Sequence, residues 1–235
     1  MMHSEPIVLK SDDKLMIRWL PGNSARLILA FTGVQHRLGG LPLDEFIGTA
    51  SDDATNHVLF ISDMKRSWYS SKTLVRRIVR AVKAFVAEHG IRETYAIGNS
   101  MGGYGAIRFS TLLPVQKVVA FSPQISMHPA TILETRWPKF RTHFGADIPL
   151  SLRAQILRSK ANFFLFFGNQ SAADLDQARL LPQHQRVTTR FIRECGHDTA
   201  AFLKKAWILS PLLHTIFTQP TADDSKIDAL LEGQI

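Results

Sequence analysis

Five residues, Gly98-Asn99-Ser100-Met101-Gly102, set a serine between two glycines at G-x-S-x-G spacing. The apolar stretch Thr94-Tyr95-Ala96-Ile97 enters this run, and Gly103-Tyr104-Gly105 leads out of it into a helix-compatible segment from Ala106 to Leu113. A serine hydroxyl attacks a carbonyl only when it is exposed and paired with a base. A sharp strand-to-helix turn provides the exposure. It requires small residues two positions away on either side, because a Cβ there strikes the adjoining strand or helix. The turn also sets Ser100 at a helix N-terminus, where the Met101 amide faces a developing oxyanion. Phosphate-binding readings of the same glycines fail. Gly98 and Gly103 have P-loop spacing, but Tyr104-Gly105 stand where Lys and Ser/Thr are needed. Gly103-Tyr104-Gly105 is followed by Arg108, not by the third glycine of a dinucleotide fingerprint. The other alternative is a tight turn whose glycines serve packing alone.

The elements that must present this turn alternate between strand and helix. Ile7-Val8-Leu9 and Leu15 to Trp19 read as an opening hairpin turning at Ser11-Asp12-Asp13. Leu27 to Phe31, Val58 to Ile61, Val118 to Phe121 and Phe163 to Phe167 are continuous apolar runs of the kind buried in a parallel sheet. Val187 to Ile192 reads as the last strand. Ser71 to Glu88 carries Leu74, Ile78, Val82 and then Phe85 or Val86 at helical spacing and stops at His89-Gly90. Ala200 to Phe217 reads as a closing helix broken at Ser210-Pro211. Strands alternating with helices predict an α/β fold, with a mostly parallel central sheet and helices on both faces.

The elbow and its context resemble the α/β-hydrolase superfamily, and the run Gly98 to Ala106 looks like its bacterial esterase-like members. The resemblance covers about Leu27 to Phe217. It implies a serine hydrolase that cleaves a carboxylic ester or thioester through an acyl-enzyme on Ser100, with no cofactor and no metal. In that superfamily the loop after an early strand supplies a second oxyanion amide. Here that loop is Thr32-Gly33-Val34, and the donor is Gly33 or, preferably, Val34. The catalytic base lies after the final strand, where Glu194-Cys195-Gly196-His197 places His197. The acid usually lies after the preceding strand as Gly-x-x-Asp, but Ser171 occupies that position here. Asp174 is the preferred acid and Asp176 its rival, while Asp174 could instead simply cap the helix expected over Leu175 to Leu181. Ser100, Asp174 and His197 follow the Ser…Asp…His order of this fold. The same apparatus could pass the acyl group to an alcohol or amine, and a catalytically silent binding protein on this fold is the alternative of a different class.

Substrate-contacting residues are expected from two segments. Trp68 and Tyr69, in the loop after Val58 to Ile61, should wall a pocket at the carboxyl edge of the sheet. Residues 124–160 lack strand character and hold six Lys/Arg, including Arg136, Lys139 and Arg141, against Glu134 and Asp147. The resemblance makes them a cap insertion with Trp137 at the substrate, and their charge suggests an anionic or amphiphilic ester. Residues 1–217 are expected to form one domain, with 218–235 as a loose acidic tail holding a short helix.

Composition bounds the rest. The chain has 235 residues, 45% of them hydrophobic, enough for a sizeable core. A single cysteine precludes an intrachain disulfide and suits a reducing compartment. With no signal pattern over Met1 to Ser11 and no apolar run long enough to span a bilayer, a cytoplasmic location is expected. The net charge of +8 is spread along the chain apart from Arg76, Arg77, Arg80 and Lys83, which suit a solvated helix face. No nucleic-acid motif accompanies it, so no nucleic-acid partner is expected.

Overall fold

The computed structural model describes residues 5–35, 42–146, 148–219 and 224–235, so Asp147 and the first four residues lie outside it. Among the described residues eight strands form one sheet: β1 (Ile7–Ser11), β2 (Leu15–Leu20), β3 (Arg26–Phe31), β4 (His57–Asp63), β5 (Glu93–Asn99), β6 (Lys117–Phe121), β7 (Asn162–Gly168) and β8 (Val187–Ile192). Their spatial order is β1-β2-β4-β3-β5-β6-β7-β8. The β1–β2 hairpin joins the sheet antiparallel to β4, and every pairing from β4 onward is parallel. The chain therefore moves outward from β3 to β4, then returns across β3 to β5. That reversal opens a crevice beyond the carboxyl ends of β3 and β5, where open α/β sheets bind ligands.

Among the described residues eight α-helices accompany the strands in chain order: α1 (Ile47–Ser51), α2 (Lys72–Glu88), α3 (Met101–Phe109), α4 (Arg153–Arg158), α5 (Ala172–Ala178), α6 (Thr199–Lys205), α7 (Leu209–Thr218) and α8 (Asp224–Leu230). The sheet separates two apolar cores. Leu27, Leu29 and Phe31 of β3 face one core with α2 and α3, while Ile28 and Ala30 face the other with α6, α7 and α8. Burial on both faces explains why the central strands are apolar at every position. The buried residues of α2 are Leu74, Ile78 and Val82, as its spacing predicts, and Phe85 in preference to Val86.

Two elements differ from expectation. The closing helix breaks at 206–208, where Trp207 has φ 60°, and not at Pro211. Pro211 falls in the first turn of α7, where a missing N–H costs no intrahelical bond. The residues after 223 are docked, not loose. Ile227 and Leu231 are buried in the second core, and Arg190 of β8 hydrogen-bonds both carboxylate oxygens of Asp228 at 2.5 and 3.1 Å. The acidity of this segment thus serves an ion pair with the edge strand.

Candidate functional site

The turn after β5 is as tight as its glycines require. Ser100 has φ 54° and ψ −117°, a strained conformation for a residue with a side chain, and its amide is held by the Phe121 carbonyl at 2.8 Å. A Cβ on Gly98 would stand 2.2 Å from the Gly102 carbonyl carbon, and one on Gly102 would stand 2.1 Å from the Phe31 carbonyl oxygen. Strand, elbow and α3 can approach this closely only without those Cβ atoms. The helix starts at Met101, directly behind the serine.

Three side chains far apart in sequence form a continuous relay. His197 Nε2 lies 2.9 Å from Ser100 Oγ, and His197 Nδ1 lies 2.8 and 3.0 Å from the two oxygens of Asp174. Asp174 is fully buried, on the third residue of α5. The N-cap of that helix is Ser171, whose hydroxyl accepts from the Asp174 amide. The serine at the usual acid position therefore performs the capping, which leaves the Asp174 carboxylate to His197. Asp176 faces outward and pairs with Arg179. Burial pushes the Asp174 carboxyl up, but hydrogen bonds and charge from His197 and Arg136 outweigh it and hold the carboxyl below its ordinary value.

Contacts from the 124–160 segment, which sequence reasoning did not assign, complete the relay. Gln124, fully buried after β6, donates from Nε2 to Ser100 Oγ at 3.0 Å and accepts at Oε1 from the Trp68 indole at 3.0 Å. An indole N–H is only a donor, so Trp68 fixes which end of the amide faces the serine. With its proton directed to His197 and one lone pair held by Gln124, Ser100 keeps its other lone pair for the cavity. A polar residue just beyond β6, the strand beside β5, was the available clue to Gln124. Arg136 donates to Asp174 Oδ1 at 2.7 Å and to both oxygens of Glu134 at 2.8 and 2.6 Å.

A cavity of about 660 Å³ opens over Ser100 and His197, bordered by Gly33, Val34, Asn99 and Trp137. Trp68 and Tyr69 do not wall it as expected, because both are fully buried away from the cavity. Tyr69 donates to the Thr32 and Ile61 carbonyls, so this pair supports the strand ends beneath the site. The Gly33 amide is engaged by the Glu45 carboxyl, whereas among the described residues no protein group accepts from the amides of Val34 or Met101. Desolvation, with a smaller push from Asp198 and against the Gly33 hydrogen bond, raises Glu45 to about 7.

No protein-family model and no curated protein matches the sequence. Solved structures do match. The chain aligns over 87% of its length with 92% of the capsule O-acetyltransferase of Neisseria meningitidis serogroup A, at TM-score 0.66 and 15% identity. It aligns over 89% of its length with 97% of the fluorophosphonate-binding serine hydrolase F of Staphylococcus aureus, at TM-score 0.60 and 12% identity. An α/β hydrolase enzyme from the metagenome of sediments of the Mar Chica lagoon, Morocco, aligns over 96% of its own chain and 88% of this one, at TM-score 0.55 and 21% identity.

The chain has the α/β-hydrolase fold. On that fold the crevice between β3 and β5 carries the serine elbow, and the 124–160 segment lies against the first core through Trp137, Phe140, Phe144 and Ile148. None of its described basic residues borders the cavity. Arg136 is committed to Glu134 and Asp174, and Arg141 donates to the Glu134 carbonyl. Among the described residues, the charged groups bordering the cavity are Asp44, Glu45, Asp53 and Asp198 against Lys204, with Asp44 paired to Arg18 at 2.6 Å. No helix among the described residues is long and apolar enough to cross a membrane.

Proposed function

We propose that the protein is a serine-dependent acyl-transfer enzyme that hydrolyses a small carboxylic ester or thioester. The observation carrying this reading is the relay Ser100–His197–Asp174, closed at 2.9 and 2.8 Å and opening into a cavity. Ser100 Oγ attacks the acyl carbon while its proton passes to His197 Nε2. The oxyanion that forms is held by the free amides of Val34 and Met101. Collapse of this intermediate breaks the bond to the leaving oxygen or sulfur, which takes the proton from His197, and the acyl group remains on Ser100. Water then attacks the acyl-enzyme with His197 again as base, releasing the acid and restoring the serine. Asp174 orients the imidazole and stabilises its charged form.

Trp137, Phe46, Ile47 and Leu209 offer apolar contact to the acyl or alcohol part of the ester. An alcohol acceptor in place of water would make the same apparatus a transferase, and product analysis with added alcohols separates the two. The primary test is intact mass after a fluorophosphonate probe. One adduct is expected on the wild type and none on Ser100→Ala or His197→Ala. A folded wild type that takes no adduct would refute an activated serine and leave a binding role for the fold.

A further inference from the structure

We propose that Arg136 is a positioning residue that locks the 124–160 segment onto the relay and holds the Asp174 carboxylate against His197. The inference rests on the acyl-transfer reading above. Its observations lie outside the three relay residues themselves.

Arg136 is gripped from below. Its Nε and NH2 meet the two oxygens of Glu134 at 2.8 and 2.6 Å, its own amide donates to Glu134 Oε1 at 3.0 Å, and the Glu134 side chain is 2% exposed. The fork leaves NH1 pointing at the relay, 2.7 Å from Asp174 Oδ1 and 3.1 Å from His197 Nδ1. Nδ1 lies within hydrogen-bond reach of both Asp174 oxygens, so the proton on Nδ1 belongs to the carboxylate. Arg136 cannot accept a hydrogen bond, so in that tautomer NH1 adjoins Nδ1 as a bare positive charge.

Asp174 is thus held from both sides, by Arg136 and by His197, and cannot rotate away from the imidazole. Other charged or titratable groups surround the relay. Glu134 and Arg141 come from the same segment, Asp198 and Cys195 from the loop carrying His197, and Glu45 and Lys204 from the far side of the cavity. Among the described residues, only Arg136 places a charge within hydrogen-bonding distance of both Asp174 and His197.

The fluorophosphonate labelling rate tests this without knowledge of the substrate. In that reaction the Ser100 O–P bond forms, the P–F bond breaks, fluoride leaves and the serine proton goes to His197. Arg136→Met should lower the rate about tenfold. Arg136→Lys keeps a charged donor for Asp174 and should recover most of that loss. Glu134→Gln loosens the grip on the guanidinium and should slow labelling by less than Arg136→Met. Loss of packing alone would slow Arg136→Lys as much as Arg136→Met, and that result overturns the proposal. Should Arg136→Met not fold, labelling of Glu134→Gln at the wild-type rate overturns it by itself. A wild type that is not labelled at all refutes the acyl-transfer reading instead.

Discussion

Replacing Glu45 with glutamine isolates the cost of enclosing a carboxyl beside the cavity. Among the described residues Glu45 Oε2 is buried with no hydrogen-bond partner, and desolvation raises the group from 4.5 to about 7. Between those two pH values the folded protein retains a proton that the unfolded chain has released. Stability attributable to Glu45 is therefore complete below about pH 4.5 and declines as pH rises toward 7. At roughly 1.4 kcal/mol per tenfold change, the full decline is about 3 kcal/mol, most of it between pH 5 and 8. The glutamine side chain keeps an acceptor for the Gly33 amide and cannot ionise, so Glu45→Gln abolishes the slope. For a chain of this size about 3 kcal/mol corresponds to roughly 5–10 °C. Thermal unfolding of both proteins at pH 5 and pH 8 provides the assay. The melting temperature of the variant relative to wild type should rise by that amount between the two. A difference that is the same at both pH values would show that Glu45 is not enclosed as described.

Other outcomes follow from packing and hydrogen bonding. Gly102→Ala drives a Cβ to 2.1 Å from the Phe31 carbonyl oxygen and should cost at least about 2 kcal/mol in denaturant unfolding. Gly196→Ala, whose Cβ meets nothing within 4 Å, should stay within about 0.5 kcal/mol of wild type in the same measurement. Trp68→Phe removes the indole N–H that holds Gln124, so fluorophosphonate labelling should slow and stability fall by about 1–3 kcal/mol. Unchanged labelling would deny Gln124 its hold on Ser100. Leu231→Ala should destabilise by about 2–5 kcal/mol, because Leu231 is fully buried; a surface-like loss under about 0.5 kcal/mol would mean that α8 is not docked.

Local pattern was enough to find the elements that carry the site. The alternation of apolar runs and helical stretches specified the central strands, since strands buried on both faces must be apolar throughout. The glycine spacing located the elbow, because steric collision at a tight turn is a local constraint that any sequence must satisfy. Position along the chain singled out His197. The acid was less legible, since Ser171 occupies its usual place and a carboxylate early in a helix is equally suited to capping. Trp68 and Tyr69 were misplaced for a related reason. A loop at the carboxyl edge can direct aromatics into the cavity or beneath the strands, and periodicity does not distinguish the two.

What the sequence by itself determined was the α/β architecture and the strained serine turn. Each rests on interactions between residues near one another in the chain or on strand-by-strand hydrophobicity. Only the tertiary structure decided which carboxylate meets the histidine, that Gln124 holds the serine, and that Arg136 spends its charge on Glu134 and Asp174 and not on a substrate. Arg136 meets partners 38 and 61 positions away in the chain. A cation in a basic stretch becomes an internal counter-ion only when folding brings buried carboxylates to it, and composition records the charge without recording where it is neutralised.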